Sequence, residues 1–579
     1  MFIVQWIQQF LIPVLFLLVP LTGVFRRVTG QVDGFIEPRW IMVYLIATPL
    51  MALLAFSTFD LKSLPRSKLL SISLILAALS AITSIVTNFH APYEFIACDA
   101  ATFFAIFLTS WSLSRTPDSK ALLVRSIGSA TLFSTLVVLT VLALQWGGYP
   151  LPTLGKIEGG STGSLFGHKN FLGEFLAISL LIQSMSLRRP SPLTRGAVFR
   201  GLLFAASALS LFMIHARGAL LGAFAGFAVL WVPRPKLSLK TIGLAASALG
   251  AALIVATLFN LGHLTEVREN SRLRFARWVN TVALIADHPL GVGPGNYEFE
   301  YLPYRKKILD DSEINEANVA RSPHNLPLQV AAEYGWVTLL ALTLALAILL
   351  PRIRSTDALS YAILVTILVD GLSAFPFQVP YPFFVFAVFL GIGLAPRASA
   401  NPALAPSFAR FGIALLMIAL SGVIGTRGWQ LYSAVRAEAY DFNDLDRIGP
   451  ACEALPSRWT TCLQAMILEG NRPQPNRAIE VGLRMIRHQP KNHLAHYILS
   501  RAYELADRPE DACRELRIYD GLFGGRSSAQ NVMKEICEGP STHSLDPNQA
   551  NGGNSRPSAT PALPNPEKRS PDRLQKPRK

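Results

Sequence analysis

Four short stretches combine residue types that could do chemistry with a position at the edge of long apolar runs. FGHKNFLGE, residues 166–174, brings His168, Lys169, Asn170 and Glu174 to the start of one such run. HARGALLG, residues 215–222, leaves Arg217 as the only obligate charge between two runs that have almost no loop between them. RLRFARW holds Arg272, Arg274 and Arg277, and SPHNLPLQVAAEYGW, residues 322–336, opens with His324 and Asn325. Charge at membrane depth is costly enough to point to function. Guanidinium groups stay charged and match phosphate oxygens bidentately, so arginines can hold a diphosphate leaving group as its bond breaks. An imidazole titrating near neutrality can take a proton from an incoming hydroxyl. Each residue also has a plainer reading. Lys169 can snorkel to the interface, Arg217 can cap a helix or meet lipid headgroups, the three arginines can be the solvated face of an interfacial helix, and His324 can be a hydrogen-bonded structural histidine.

The elements that must position these groups are membrane helices. The chain has 579 residues, 51% hydrophobic and 16% charged, well below the roughly 25% charge of soluble domains. Apolar runs long enough to cross about 30 Å of hydrocarbon recur, and in lipid only helices or closed barrels satisfy the backbone. Their pattern predicts an all-α polytopic membrane protein with about 13 transmembrane helices. The spans lie near 3–25, 39–58, 67–87, 94–113, 122–144, 164–186, 200–215, 218–233, 241–260, 329–350, 357–373, 381–396 and 409–426. Transmembrane helices 1–9 thus occupy residues 1–260, a polar loop carrying the third and fourth clusters occupies 261–324, and helices 10–13 occupy 325–427.

A net charge of +15 would raise nucleic acid as a partner for a soluble protein, but here the basic residues alternate with topology. Links such as Lys62 to Lys68, Arg188 to Arg200 and Arg234 to Lys240 are basic, whereas 88–93, 145–163 and 374–380 carry almost no positive charge. The positive-inside rule then puts the amino terminus in the cytoplasm and the four clusters outside; Arg26 and Arg27 fall against this scheme. The first run lacks a basic leader and a small-residue cleavage site and reads as the first span.

Residues 428–540 read as a soluble helical module. Ala478 and Ala512 are 34 residues apart, the tetratricopeptide period, with Pro490 closing the first unit. The module holds Cys452, Cys462, Cys513 and Cys537. In an oxidising compartment these suggest two disulfides; proximity favours Cys452 with Cys462 and Cys513 with Cys537, although four cysteines allow three connectivities and four buried thiols are the alternative. The tail, residues 541–579, is rich in Pro, Ser and Asn and should be disordered. GVGPGNY, with three glycines in five residues, reads as a turn with unusual backbone angles rather than a phosphate loop, since no strand precedes it.

In order and spacing, FGHKNFLG, ARGALLG, RFARW with DHPLGVGPGNY, and PHNLPLQVAAEYG resemble the O-antigen ligase and polymerase superfamily of bacterial inner-membrane glycosyltransferases, over roughly residues 150–400. The small-residue-flanked arginine of that family matches Arg217, the arginine four before a tryptophan matches Arg274, and the histidine of its HN pair matches His324. The resemblance implies a GT-C-like fold with a large periplasmic loop, and a cofactor-free, metal-independent, inverting transfer of glycan from undecaprenyl diphosphate. Arg217, Arg274, Arg277 and Lys169 would bind the donor diphosphate, His324 would act near the acceptor, and His168, Asn170 and Asn325 would shape the acceptor site. The acceptor could be growing glycan, lipid A core or protein, which separates ligase, polymerase and protein O-oligosaccharyltransferase readings. The C-terminal periplasmic module could recruit an envelope protein partner. A transporter of lipid-linked saccharide is the rival class, against which stand the absence of an apparent inverted repeat and the gathering of polar residues on one side.

Overall fold

The computed structural model describes residues 2–22, 37–55, 67–88, 93–149, 163–187, 194–231, 264–307, 320, 322–395, 407–440, 444–455, 458–470, 475–522 and 530–537. Among the described residues every regular element is a helix. The bundle contains α1 (Phe2–Leu21), α2 (Glu37–Leu54), α3 (Lys68–Thr87), α4 (Tyr93–Leu113), α5 (Pro117–Trp146), α6 (Lys169–Leu187), α7 (Arg195–Met213) and α8 (Arg217–Trp231). After the loop helices α9 (Leu264–Asp287) and α10 (Tyr297–Glu300) come α11 (Leu326–Tyr334), α12 (Trp336–Thr356), α13 (Ala358–Asp370), α14 (Pro380–Leu394) and α15 (Ser407–Tyr440). Seven helices, α1, α2, α3, α5, α7, α12 and α15, hold segments long and apolar enough to cross a membrane, and α4, α8, α13 and α14 carry shorter apolar stretches. This is a polytopic membrane protein. The predicted span at 241–260, loop residues 308–319 and the tail at 541–579 lie outside the described residues.

Helix α14 sits at the centre, apolar all round and buried along nearly its whole length. Phe16 of α1 meets Phe384 edge-on at 5.1 Å, and Tyr381 meets Phe175 of α6 at 5.1 Å. Helices α8 and α13 pack most closely, because Gly218, Gly222 and Gly226 line the contact: a Cβ on Gly222 would fall 2.6 Å from the Thr366 carbonyl oxygen, and one on Gly218 would lie 2.6 Å from Asp370 Oδ1. Small residues every four positions let membrane helices approach to backbone contact.

Two boundaries differ from the hydropathy pattern. The run at 329–350 is broken at Gly335, whose φ of 86° separates α11 from α12. The break is steric: a Cβ there would meet Pro289 O at 2.8 Å, and the GVGPG turn crosses at this point with Val292 N donating to Ala332 O (2.8 Å) and Gly293 N to Glu333 O (3.0 Å). Gly291, Gly293 and Gly295 all have positive φ, as the turn reading expects. The second difference is α15, which continues past residue 427 to Tyr440, so the last span enters the C-terminal module without a break.

That module consists of α16 (Leu445–Ala454), α17 (Trp459–Gly470), α18 (Pro475–His488), α19 (His493–Leu505), α20 (Pro509–Leu522) and α21 (Gln530–Cys537). Ala478 and Ala512 are both fully buried, each in the first turns of a helix that opens on proline. Disulfides join Cys452 to Cys462 and Cys513 to Cys537. Cys98 of α4 is buried and unpaired with another cysteine.

Candidate active site

The starts of α2, α6, α8 and α14 and the end of α13 share one end of the bundle, and the four polar clusters meet there. The first is held from below. Ser164 donates through Oγ to Val138 O (2.7 Å), and its N–H donates to Gln145 Oε1 (2.9 Å). The buried guanidinium of Arg39 lies 4.4 Å over the Phe166 ring and donates to Leu165 O (2.8 Å) and Val19 O (3.1 Å). A side chain at Gly163 would run into the backbone of Gly167 and His168, so the chain can turn tightly into α6. His168 then lies against Phe171 (5.1 Å between rings), and its Nδ1 accepts from Asn170 N (3.2 Å), leaving the proton of the neutral ring on Nε2. Lys169 is half-buried at the first position of α6.

His324 approaches from the opposite wall. Its backbone is left-handed (φ 53°), its N–H donates to Ser322 Oγ (3.0 Å), and its ring meets Phe375 edge-on at 5.0 Å. Left-handed backbone is uncommon outside glycine and marks a residue held by its surroundings. Asn325 does the holding. Its side-chain oxygen caps α11 by accepting from Leu328 N (3.0 Å), and its amide donates to Leu372 O (2.9 Å), while Leu326 N donates to Gly371 O (2.7 Å). Asn325 thus ties the start of α11 to the turn that follows α13.

The same turn receives the arginine helix. Arg274 donates to Ser373 O (3.2 Å), and Trp278 Nε1 donates to Pro323 O (3.0 Å), so α9 is stitched to both loops. Arg274 lies within electrostatic reach of Arg277, Arg217 and Asp370; burial and the two arginines lower its pKa, and Asp370 opposes them. Arg217 is exposed at the start of α8, and Arg272, one turn before Arg277 on α9, is exposed as well.

Residues 370–375 are the hub that sequence reasoning missed. Asp370 and Glu174 are both buried and line the same small pocket between α6, α8 and α13. The available signal was an acid followed by glycine at the end of an apolar run. The carbonyls that anchor Arg274, Asn325 and Leu326 leave no trace in side-chain chemistry.

Between the two walls lies a cavity of about 290 Å³ bounded by His168, Asn170, Phe171 and Glu174 on one side and His324, Ala374 and Phe375 on the other. Phe171 and Phe375 meet edge-on at 6.0 Å, so the two histidines flank an aromatic pair. Burial foremost, then Arg277, Arg274 and His168, holds the pKa of His324 down at about 4. This lies well below the near-neutral titration expected of a histidine base. The cause is physical: a cation is disfavoured in a half-buried place already facing two others.

Residues 202–343 match the family model described as O-antigen ligase. The chain carries an O-antigen ligase domain. The match supports the O-antigen ligase and polymerase superfamily, and the matched stretch includes Arg217, Arg274, Arg277 and His324. The HKN segment precedes the matched part of this O-antigen ligase domain, and Asp370 follows it, yet both pack against it. No curated protein matches the chain.

Proposed function

We propose that this protein transfers a glycan from an undecaprenyl-diphosphate-linked donor to an acceptor hydroxyl at the periplasmic face of the bacterial inner membrane, with inversion and without a metal ion. The observation that carries the reading is the convergence of Arg274 and Arg277 beside His324, across a cavity from His168, with Arg217 within electrostatic reach of Arg274. The superfamily match points to a glycan-transferring enzyme. In the reaction, the acceptor oxygen attacks the anomeric carbon, the bond from that carbon to the phosphate oxygen breaks, and the lipid diphosphate leaves with both electrons of that bond. Arg217, Arg274, Arg277 and Lys169 stabilise the charge that develops on it. His324 takes the acceptor proton, and His168 and Asn170 shape the acceptor cavity. Asn325 holds His324 in place.

The depressed pKa of His324 fits an ordered reaction. Arriving diphosphate cancels the field of Arg274 and Arg277, which raises the basicity of the imidazole only when donor is present. Acceptor and donor are thereby coupled through charge.

Incubating the purified protein with a defined undecaprenyl-diphosphate glycan and separate glycan, lipid A core and peptide acceptors, then weighing the products, tests the proposal. The expected result is one acceptor heavier by the donor glycan, with free lipid diphosphate released; the acceptor that gains mass distinguishes ligase, polymerase and protein O-glycosylation. Movement of intact lipid-linked saccharide across a vesicle with no new glycosidic bond would instead establish a transporter.

A further inference from the structure

The C-terminal module touches the site through a segment that the mechanism above does not use. Residues 297–305 lie along α9 on one face. Tyr297 and Thr281 hydroxyls are 2.7 Å apart, Asn280 donates to Tyr301 OH (3.3 Å), and Tyr304 OH donates to Asp287 (2.8 Å). Thr281 in turn donates to the backbone oxygen of Arg277 (2.7 Å), and the Tyr297 and Tyr301 rings stack at 5.2 Å. The other face meets the module. Leu302 is buried with Leu516 and Tyr519 of α20, and α21 packs around the same cluster. Phe299 meets Trp459 at 6.2 Å, and Glu300 pairs with Lys491 at 2.5 Å. A second tie runs from Arg458 to Glu37 (2.8 Å) at the start of α2, two residues from the Arg39 that carries the HKN segment.

We infer that the C-terminal module is a working part of the donor site: it presses residues 297–305 onto α9 and so fixes Arg274 and Arg277, with Leu302 as the positioning residue. A module that only recruited acceptors would need no such seat under the arginine helix. The inference rests on the reading that these arginines bind the donor diphosphate.

The test uses the full chain in lipid nanodiscs and follows binding of inorganic diphosphate, together with separate KM values for donor and acceptor. Leu302→Ala and Tyr519→Ala should each weaken diphosphate binding and raise the donor KM by about tenfold, within the range that small misplacements cost, with the acceptor KM unchanged. Lys491→Glu should weaken binding by repulsion from Glu300, and the swap Glu300→Lys with Lys491→Glu should restore it, an outcome that general destabilisation does not produce and that keeps the test open if the alanine variants fold poorly. Wild-type diphosphate affinity in the folded Leu302, Tyr519 and Lys491 variants, or a change confined to the acceptor KM, overturns the inference while leaving the donor site intact. Arg274→Ala is the internal reference. If it binds diphosphate as the wild type does, the donor-site reading itself fails and takes this inference with it.

Discussion

Arg274 and Asn325 are bound to adjacent carbonyls of one turn, Arg274 to Ser373 O and Asn325 to Leu372 O. The cation proposed for the leaving group and the residue next to the proposed base therefore share a single reference turn, and displacement of either is felt by the other. Preorganisation of this kind is what lets charge act at the moment of reaction without rearrangement.

Arg274→Lys keeps a positive charge but loses the planar fork and the reach to Ser373. Transfer measured as kcat/KM should fall by about 10²-fold, the scale on which losing one preorganised donor acts. Arg272→Ala, on the exposed side of the same helix, should stay within about twofold of wild type under the same assay, because surface changes away from such features act weakly.

His324 should titrate near 4 in the donor-free protein and higher once diphosphate is bound. Histidine NMR with and without inorganic diphosphate checks both values. The sign follows from linkage: a histidine depressed below its unfolded value of about 6.5 contributes stability above that pH, and the contribution is lost as pH falls through about 4. Removing the two guanidiniums with Arg274→Gln and Arg277→Gln should raise the free-protein pKa, although burial keeps it below 6.5.

Gly222→Ala should lower the thermal unfolding midpoint in nanodiscs, because its Cβ must displace the Thr366 backbone of α13. Overpacking of this sort costs about 1–3 kcal/mol. Gly422→Ala, where nothing lies within 4 Å of the added carbon, is the matched control and should leave the midpoint unchanged.

Cys513→Ser removes the bridge to Cys537 across a separation of 24 residues. In the chain-entropy model this destabilises the module by about 3.5 kcal/mol. Limited proteolysis should show earlier cleavage of α21, and a reducing agent should reproduce the effect in the unsubstituted protein.

Much of the site was legible because charge beside apolar sequence has few cheap explanations. Arg217, Arg274 and His324 stand out for that reason, and the glycines of GVGPGNY announce a turn that the positive φ angles bear out. What sequence could not show was which backbone the side chains would seize. Ser373, Leu372 and Gly371 act through carbonyl oxygens that every residue possesses. Arg39 looked like the flank of a span and is instead a buried support for Leu165 and Phe166. Gly335 lay inside a continuous apolar run, and only the crossing of Pro289 above it explains why one span begins later than hydropathy suggests. The carry-through of α15 to Tyr440 was hidden for a related reason: hydropathy stops where lipid stops, but helical hydrogen bonding does not.

That unbroken helix has a mechanical consequence. Its 34 residues make a rod about 51 Å long, well beyond the roughly 30 Å of hydrocarbon, and it runs unbroken as far as Tyr440. Inserting a single residue in its protruding part would twist everything beyond by about 100° and advance it by about 1.5 Å, pulling Arg458 off Glu37 and Lys491 off Glu300 together. The phase of this shaft is then under the same constraint as the chemistry it leans on, and its length should tolerate change less well than its surface residues do.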